Sequence, residues 1–395
     1  MPGMQWALLL SLGGAWASAA IGVVADAASC SFASAAAHAA DSVCGAGEGC
    51  VDGGCGTGSG TGSQQFHRTL YYTEQVPRVI TRPELLTYIE GEYAFGVVAD
   101  LDLMSRDPQD FIWRSYLKKG RVLRVNGRME RDHFTIAWDE ELVLTSSTAT
   151  RNRSMELSEL VFYNRRLIAF CDYSGIAYKI DPHTGKTIQR LSIADGNGDE
   201  SKPFKGEWAT VKGDTIWLGS IGFEWYGPDG EVMHRNAEWV KLIDAKGGIR
   251  NLDWHPVYQT IRSATNTTLP GFLWHEAIEW EPLDRIWVML PRFASTTSQY
   301  TPGIEHRSTA DMLIVADESF LSIKVVRLQH HDPRFGFTSL RRLPGSHQLF
   351  MALRVHEDGD KHLTQAAIID LAGNFYTEPP YIEVGTRKYE GLAFL

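Results

Sequence analysis

The feature that most constrains the fold is a hairpin-like unit that recurs along the chain. Each copy starts with a polar residue, has an apolar residue four places later, passes a polar turn and ends in an apolar strand. Four copies begin at Ser158, Glu207, Glu276 and Ser339, and a truncated copy, EGLAFL, begins at Glu390. These starting points are 49, 69, 63 and 51 residues apart. Each interval accommodates about one four-stranded propeller blade.

The sequence around these units is also of β type. Short apolar runs alternate with turns, and helical spacing is scarce; only QDFIWRSYLKKG, residues 109–120, suggests a helix. An all-β domain of this length favours radial repetition over a simple sandwich. The sequence therefore predicts a five-bladed β-propeller over residues 67–395. We expect FGVVADLD, residues 95–102, to pair with the C-terminal strand and close the ring.

The repeated polar residues are expected to meet at the centre of the ring, because the innermost strands of a propeller surround a channel. The positions concerned are Ser158, Glu207, Glu276, Ser339 and Glu390. Three buried carboxylates repel one another unless a cation lies between them. Oxygen ligands without His or Cys suit Ca²⁺, which accepts irregular coordination, better than Mg²⁺. The five positions are thus predicted metal ligands.

Several motifs resemble those of one known family. VVADLDLMSR, RSMELSELVFYN, FKGEWATV, HEAIEW, GFTSL and KYEGLAF occur in an order similar to that of the calcium-activated nucleotidases, or apyrases. The resemblance runs from about Tyr93 to Leu395. It implies a five-bladed propeller with one central Ca²⁺, and hydrolysis of nucleoside di- and triphosphates such as UDP, GDP, ADP and ATP. The five repeat positions coincide with the calcium ligands that the resemblance implies.

Phosphoanhydride hydrolysis requires a clamp on the phosphates and a group that activates water. Arg292 is the predicted clamp, because its guanidinium matches two phosphate oxygens and because the family has a matching arginine. The candidate acids for activating water, which could instead be structural, are Asp100, Asp102, Glu156 and Asp172. Trp208 and Trp225 could stack on a base, although aromatic residues in a β domain more often serve packing.

The chain departs from the family pattern at three positions. Phe223 stands where Lys is common, Phe293 where a second Arg is usual, and Cys171 where another acid is usual. We expect fewer cations near the phosphates to weaken substrate binding or to change the nucleotide preference. Cys171 itself is predicted to be a thiol of the core.

The N-terminal region is predicted to lie outside the propeller. Residues 1–30 resemble a signal peptide and are also long enough to anchor the chain in a membrane. Residues 31–66 have the composition of a flexible linker, and Cys30, Cys44, Cys50 and Cys55 lie in or beside it. We therefore expect secretion, or the ER or Golgi lumen if the segment is retained. The sequence leaves open cleavage against anchoring, the cysteine pairing, and monomer against homodimer.

Two other functions remain open. The net charge of −10 argues against nucleic acid as a partner. A calcium-dependent propeller hydrolase acting on lactones or organophosphate esters is one alternative, although such enzymes usually bring His and Asn to the metal. A secreted propeller with a structural calcium that recognises a glycan or a protein is the other. Arg292 and the acids of ADLD favour chemistry over binding alone.

Overall fold

The computed structural model describes residues 92–125, 133–227, 229–301, 304 and 310–395. The predicted leader or anchor at 1–30, the linker at 31–66 and its four cysteines lie outside these residues. In the part of the chain that is described, no helix is both long and apolar enough to cross a membrane.

The described strands form five four-stranded antiparallel sheets, each of which is one blade. Blade 1 contains β1 (Glu92–Ala99), β2 (Trp113–Val125) and β3 (His133–Ser146), together with the last strand of the chain. Blade 2 contains β4 (Leu157–Tyr163), β5 (Arg166–Cys171), β6 (Ile176–Ile180) and β7 (Thr187–Ser192). Blade 3 begins with β8 (Trp208–Lys212) and β9 (Thr215–Gly219). A separate short hairpin of β10 (Trp225–Tyr226) and β11 (Val232–His234) follows in sequence. The strands β12 (Trp239–Ile243) and β13 (Ile249–Asp253) then complete blade 3.

The helix α1 (His255–Ala264) leads from blade 3 to blade 4. Blade 4 contains β14 (Phe272–Glu281), β15 (Ile286–Ser295), β16 (Met312–Asp317) and β17 (Ile323–Arg327). Blade 5 contains β18 (Phe335–Arg342), β19 (Leu349–Asp358), β20 (Lys361–Asp370) and β21 (Ile382–Gly385). The last strand, β22 (Tyr389–Phe394), returns to blade 1.

The ring closes by the predicted pairing of the two ends of the propeller. Strand β22 pairs antiparallel with β1, with Phe95 opposite Phe394 and Val98 opposite Gly391. Each blade therefore contributes one innermost strand, and these are β22, β4, β8, β14 and β18. Closure removes the two free sheet edges that an open ring would expose. The prediction of a five-bladed propeller is confirmed.

The predicted helix at 109–120 is wrong. Most of this segment belongs to β2, which pairs with β1 on one side and with β3 on the other. Trp113, Ser115 and Leu117 are buried, whereas Arg114 between them is exposed, so the pattern has the period of two that a strand requires. Two strand partners therefore override the local helical spacing.

The one α-helix among the described residues, α1, was not predicted. Pro256 lies in its first turn, where proline is favoured, and Tyr258 and Ile261 are buried three residues apart. The core lies between adjacent blades. The predicted core thiol, Cys171, is free and buried there.

Candidate active site at one end of the channel

β-Bulges place three of the repeated polar residues at the channel. In the β4–β5 pairing the register passes from Leu157 to Glu159, which leaves Ser158 as the extra residue. Glu276 in β14 and Glu390 in β22 are left without a pairing partner in the same way. A bulge bends the strand and re-aims a side chain, and bulges are frequent beside active sites. All three side chains line one pocket at the hub.

Four of the five predicted metal ligands meet in this pocket. The Ser158 hydroxyl oxygen lies 2.7 Å from Glu390 Oε2 and 3.1 Å from Glu207 Oε2. Glu276 joins them through Arg292, whose Nη1 contacts Glu276 and lies 2.7 Å from Glu390 Oε1. All four side chains are buried, although the segments that carry them are far apart in sequence. The repeat thus located residues that no local motif connects.

The fifth predicted ligand, Ser339, has a different environment. Its hydroxyl donates to Glu159 Oε1 at 3.1 Å, and it does not line the pocket. Glu159 also accepts from the backbone N–H of Ala209 at 3.1 Å and lies 2.9 Å from Arg341 Nη2. This buried layer therefore links β4, β8 and β18 beneath the pocket.

Two lysines that the sequence reasoning missed also reach the hub. Lys205 Nζ lies 2.6 Å from Asp172 Oδ2 and contacts Glu207. Lys388 Nζ lies 2.9 Å from Asp102 Oδ2 and 2.5 Å from Asp100 Oδ2. Each lysine precedes a repeat glutamate by two residues. Because side chains two apart on an extended segment share a face, this spacing was the signal that could have identified them.

The four predicted catalytic acids converge on the side of the pocket formed by blades 1 and 2. Carboxylate oxygens of Asp100, Glu156 and Asp172 all lie within 4.8 Å of one another. The backbone N–H of Asp102 donates to Asp100 Oδ1 at 2.9 Å, at the start of the 3₁₀ turn Asp102–Ser105. Arg153 contacts Glu156 and lies 3.8 Å from Asp102 Oδ1. Asp100, Asp102 and Asp172 line the pocket, whereas Glu156 is fully buried, pairs with Arg153 and does not line it.

The crowding of buried acids shifts their pKa values apart. Burial raises the pKa of Glu156 to about 7, against the opposing effect of Arg153. Burial likewise raises the pKa values of Asp100 and Glu276 well above their usual range. Burial also opposes ionisation of Glu390, but Lys388 and Arg292 outweigh it and lower the pKa of Glu390 to about 2. The pocket thus penalises several of its own negative charges and favours an added cation.

The donor chemistry of the pocket fits calcium. Its lining contains more carboxylates than cations: the acids are Asp100, Asp102, Asp172, Glu207, Glu276, Glu357, Asp358 and Glu390, and the cations are Lys205, Arg292, Arg334 and Lys388. The donors that converge are carboxylate and hydroxyl oxygens, and Asp172 Oδ1 is buried without a hydrogen-bond partner. Ca²⁺ binds irregular sets of such hard oxygen ligands. Glu207, Glu276, Glu390 and Ser158 are residues that could hold such an ion.

The pocket has a volume of about 440 Å³ and one aromatic wall. The volume lies within the range of small-molecule sites. Trp274 and Phe293 form the wall, with their rings edge to face at 6.0 Å and 86°. Trp274 Nε1 donates to Glu276 Oε1 at 2.7 Å, which fixes the indole beside the repeat carboxylate. Trp274 also precedes its repeat glutamate by two residues.

The tryptophans predicted to stack on a base lie elsewhere. Trp208 is fully buried between blades, and its Nε1 donates to the carbonyl of Ser220 at 3.0 Å. Trp225 belongs to β10 and packs near His234 and Lys202. Neither residue lines the pocket. Trp208 directly follows Glu207, so its side chain points to the opposite side of the strand, and Trp225 lies in a hairpin outside the innermost strands.

The three departures from the family pattern have separate positions. Phe293 lines the pocket beside Arg292, with the guanidinium carbon 5.7 Å from the ring centre. Phe223 is buried against Phe272 and Tyr300, so it adds no surface to the pocket. Cys171 is buried directly before Asp172. Only Phe293 therefore changes the character of the pocket wall.

Comparison with known proteins gives consistent matches. The model of the apyrase family matches residues 101–395. Soluble calcium-activated nucleotidase 1 of Mus musculus is 34% identical over 305 residues, which cover 77% of this chain and 74% of that protein. Apyrase apy-1 of Caenorhabditis elegans is 32% identical and covers 77% of this chain and 84% of its own length. An apyrase of Phlebotomus duboscqi is also 32% identical, with coverage of 78% and 89%.

Proposed function

Because this chain belongs to the apyrase family, we propose that it hydrolyses nucleoside di- and triphosphates to the monophosphate and inorganic phosphate with the help of Ca²⁺. Family membership indicates a nucleotide-hydrolysing enzyme; the calcium dependence and the substrates UDP, GDP, ADP and ATP are the finer part of the proposal. The name of the mouse relative describes a calcium-activated enzyme. The observation that carries the proposal is the buried, acid-rich hub pocket with Arg292 at its centre.

Glu207, Glu276, Glu390 and Ser158 would hold the metal. When bound there, Ca²⁺ would neutralise phosphate charge and act as a Lewis acid. The three carboxylates come from blades 3, 4 and 1, so the ring itself fixes their separation. Ser339 remains a proposed ligand, and its hydrogen bond to Glu159 keeps it next to the hub.

Cationic side chains would bind the phosphates. Arg292 contacts Glu276 and Glu357 and lies 2.7 Å from Glu390 Oε1, so its planar fork is held at the centre of the pocket. Lys205 and Lys388 flank it from blades 3 and 1. An arginine fork engages two phosphate oxygens, whereas the lysines act as point charges.

The acids of blades 1 and 2 would orient and deprotonate the attacking water. Glu156 is the proposed general base, because its pKa of about 7 would let it accept a proton near neutral pH, although it does not line the pocket itself and lies next to Asp100 and Asp172, which do. Asp100 and Asp172 lie within 4.8 Å of it, oxygen to oxygen, and would hold the water from either side. Asp102 is half exposed and would position Lys388 and Arg153 rather than contact the water.

The aromatic wall would bind the base. Trp274 and Phe293 present ring surface at the pocket next to Arg292, where a base attached to clamped phosphates would lie. Stacking on a ring tolerates any base, because every base has a π face. We therefore expect weak discrimination among nucleotides.

The test is phosphate release from UDP, GDP, ADP and ATP by the purified propeller, with added calcium and with a chelator. Release of phosphate that requires calcium supports the proposal. Glu276→Gln should abolish this calcium-dependent release. Release that is equal in chelator would exclude the calcium role. Absence of release under every condition, together with calcium binding by calorimetry, would leave the propeller as a binding module.

We also propose entry into the secretory pathway, on the basis of the signal-like segment 1–30. Mass spectrometry of the mature N-terminus in secreted and membrane fractions would separate a cleaved leader from an anchor. Size-exclusion chromatography with light scattering would decide between monomer and homodimer.

A further inference from the structure

A second cavity lies between blades 2 and 3, away from the hub. Its floor is apolar and is formed by Ile168, Phe170 and Leu191 of blade 2 and by Ile216 and Ile243 of blade 3. Its volume is about 70 Å³, and it is called the groove below. None of the residues that line it belongs to the hub pocket.

The walls of this groove are basic. Arg166, Lys179, Arg190 and Lys246 line it, and Asp244 is the acid among them. The Asp244 carboxylate already accepts the backbone N–H groups of Lys246 and Gly248, both at 2.8 Å. Its charge is therefore committed in part to the turn that follows β12.

The groove cations have almost no partners within the protein. Most described Lys and Arg side chains contact an acid, a carbonyl or an aromatic ring, but no ion pair or side-chain hydrogen bond is formed by Arg166, Lys179 or Arg190. Lys246 interacts with Asp244 only through its charge. Three more described cations without such partners, Arg165, Lys186 and Arg250, belong to the same two blades. In a chain of net charge −10, this concentration of unpaired cations is unusual.

The sheet register spaces the three blade 2 cations across the groove. Ile168 of β5 lies opposite Lys179 of β6, and Arg166 is two residues from Ile168 on the same face. In β7, Arg190 is the extra residue of a bulge between the partners of Tyr178 and Ala177. Diagonal neighbours in a sheet are about 7–8 Å apart. The charges therefore form a row across three strands and do not converge on one point.

We propose that this groove binds a sulfated polysaccharide. A row of cations at these intervals matches sulfate groups repeated along a chain, and arginine forks bind sulfate as they bind phosphate. The apolar floor, with Ile168 and Leu191 half-buried, suits the apolar face of a sugar ring. Single-stranded nucleic acid would require several exposed aromatic faces for stacking. Of the two aromatic residues that line the groove, Phe170 is buried and Tyr163 is half-buried, with its hydroxyl donating to the Asp214 carbonyl.

The proposal is tested by calorimetry of the intact protein with a heparin-derived oligosaccharide and with its desulfated counterpart of equal length. Only the sulfated chain should bind, with an affinity that falls as salt rises. The double variant Lys179→Ala/Arg190→Ala should weaken binding by roughly fivefold or more. Lys324→Ala/Lys361→Ala, which removes two other unpaired cations from blades 4 and 5, is the matched control and should bind as the wild type does.

Several outcomes would overturn the proposal. Equal binding of the desulfated chain, or equal losses in both double variants, would mean that the groove charges do not recognise the ligand. Tighter binding of a single-stranded oligonucleotide of equal charge would assign the groove to another polymer. Thermal unfolding and nucleotide turnover should be unchanged in both variants, because the groove residues do not line the hub pocket.

Discussion

Replacing Glu276 by Gln should have opposite consequences with and without calcium. Glu276 is 2% exposed, and burial raises its pKa well above the usual range, so its negative charge is costly in the metal-free protein. The amide keeps an oxygen that accepts from Trp274 Nε1, whose bond to Glu276 is 2.7 Å long. Arg292 keeps its contacts to Glu357 and Glu390. Little is lost, therefore, when no cation is bound.

The magnitude follows from ligand linkage. At a calcium concentration one hundred times its dissociation constant, the native state gains about 2.7 kcal/mol. For a domain of about 300 residues, that corresponds to a rise in Tm of roughly 4 °C. We expect the wild type to show this rise and Glu276→Gln to lose most of it. In chelator the variant should unfold within about 1 kcal/mol of the wild type, because the amide removes a charge that burial already penalised.

Differential scanning calorimetry in calcium and in chelator measures both the calcium-dependent rise in Tm and the stability of the metal-free protein. Glu318→Gln is the matched control, because Glu318 is a surface acid about one-third exposed that pairs with Arg285 and Lys212. This control should retain the full calcium-dependent rise in Tm. If Glu276→Gln were equally destabilised in chelator and in calcium, Glu276 would be a structural partner of Arg292 and not a metal ligand.

Three further predictions concern catalysis. Arg292→Lys should lower kcat/KM for nucleoside diphosphates by at least about tenfold in steady-state assays, because an ammonium cannot form the two-oxygen fork; an unchanged value would remove the clamp role. Trp274→Leu should raise KM for UDP, GDP and ADP by similar factors, about 5- to 50-fold, whereas Phe223→Leu, which alters a ring outside the pocket, should leave KM unchanged. The pH profile of kcat/KM should rise through about pH 7, because Glu156 acts as a base only when ionised; the same ascending limb in Glu156→Gln would exclude this assignment.

The sequence predicted the hub because the ring makes distant residues equivalent. Ser158, Glu207, Glu276 and Glu390 share no local motif, yet the same place in each hairpin brings them together. What the repeat could not reveal is which side chain reaches across the channel: the Ser339 hydroxyl contacts Glu159 beneath the pocket. Bulges and side-chain direction, which follow from packing between blades, decide this outcome.

The predictions of a helix at 109–120 and of Trp208 at the pocket differ from the structure for physical reasons of the same kind. The segment 109–120 has helical spacing of apolar residues, but β2 pairs with strands on both sides, and that pairing determines its conformation. Trp208 was chosen by residue type, whereas Trp274 has the position that faces the channel. The period-two rule, applied two residues before each repeat glutamate, identifies Lys205, Trp274 and Lys388 together. Strand geometry was therefore more informative than residue chemistry alone.

The five blades carry different side chains at equivalent positions, and this difference makes the pocket asymmetric. Two residues before each repeat position, the five innermost segments carry Glu156, Lys205, Trp274, Phe337 and Lys388. Of these, Lys205 of blade 3, Trp274 of blade 4 and Lys388 of blade 1 line the pocket, and the acid that blade 2 contributes to its lining is Asp172. A nucleotide bound by complementary chemistry would place its base at blade 4 and its terminal phosphate between the two lysines, facing the acids of blades 1 and 2. The orientation of the substrate then follows from which blade carries which side chain, although the scaffold itself is nearly symmetric.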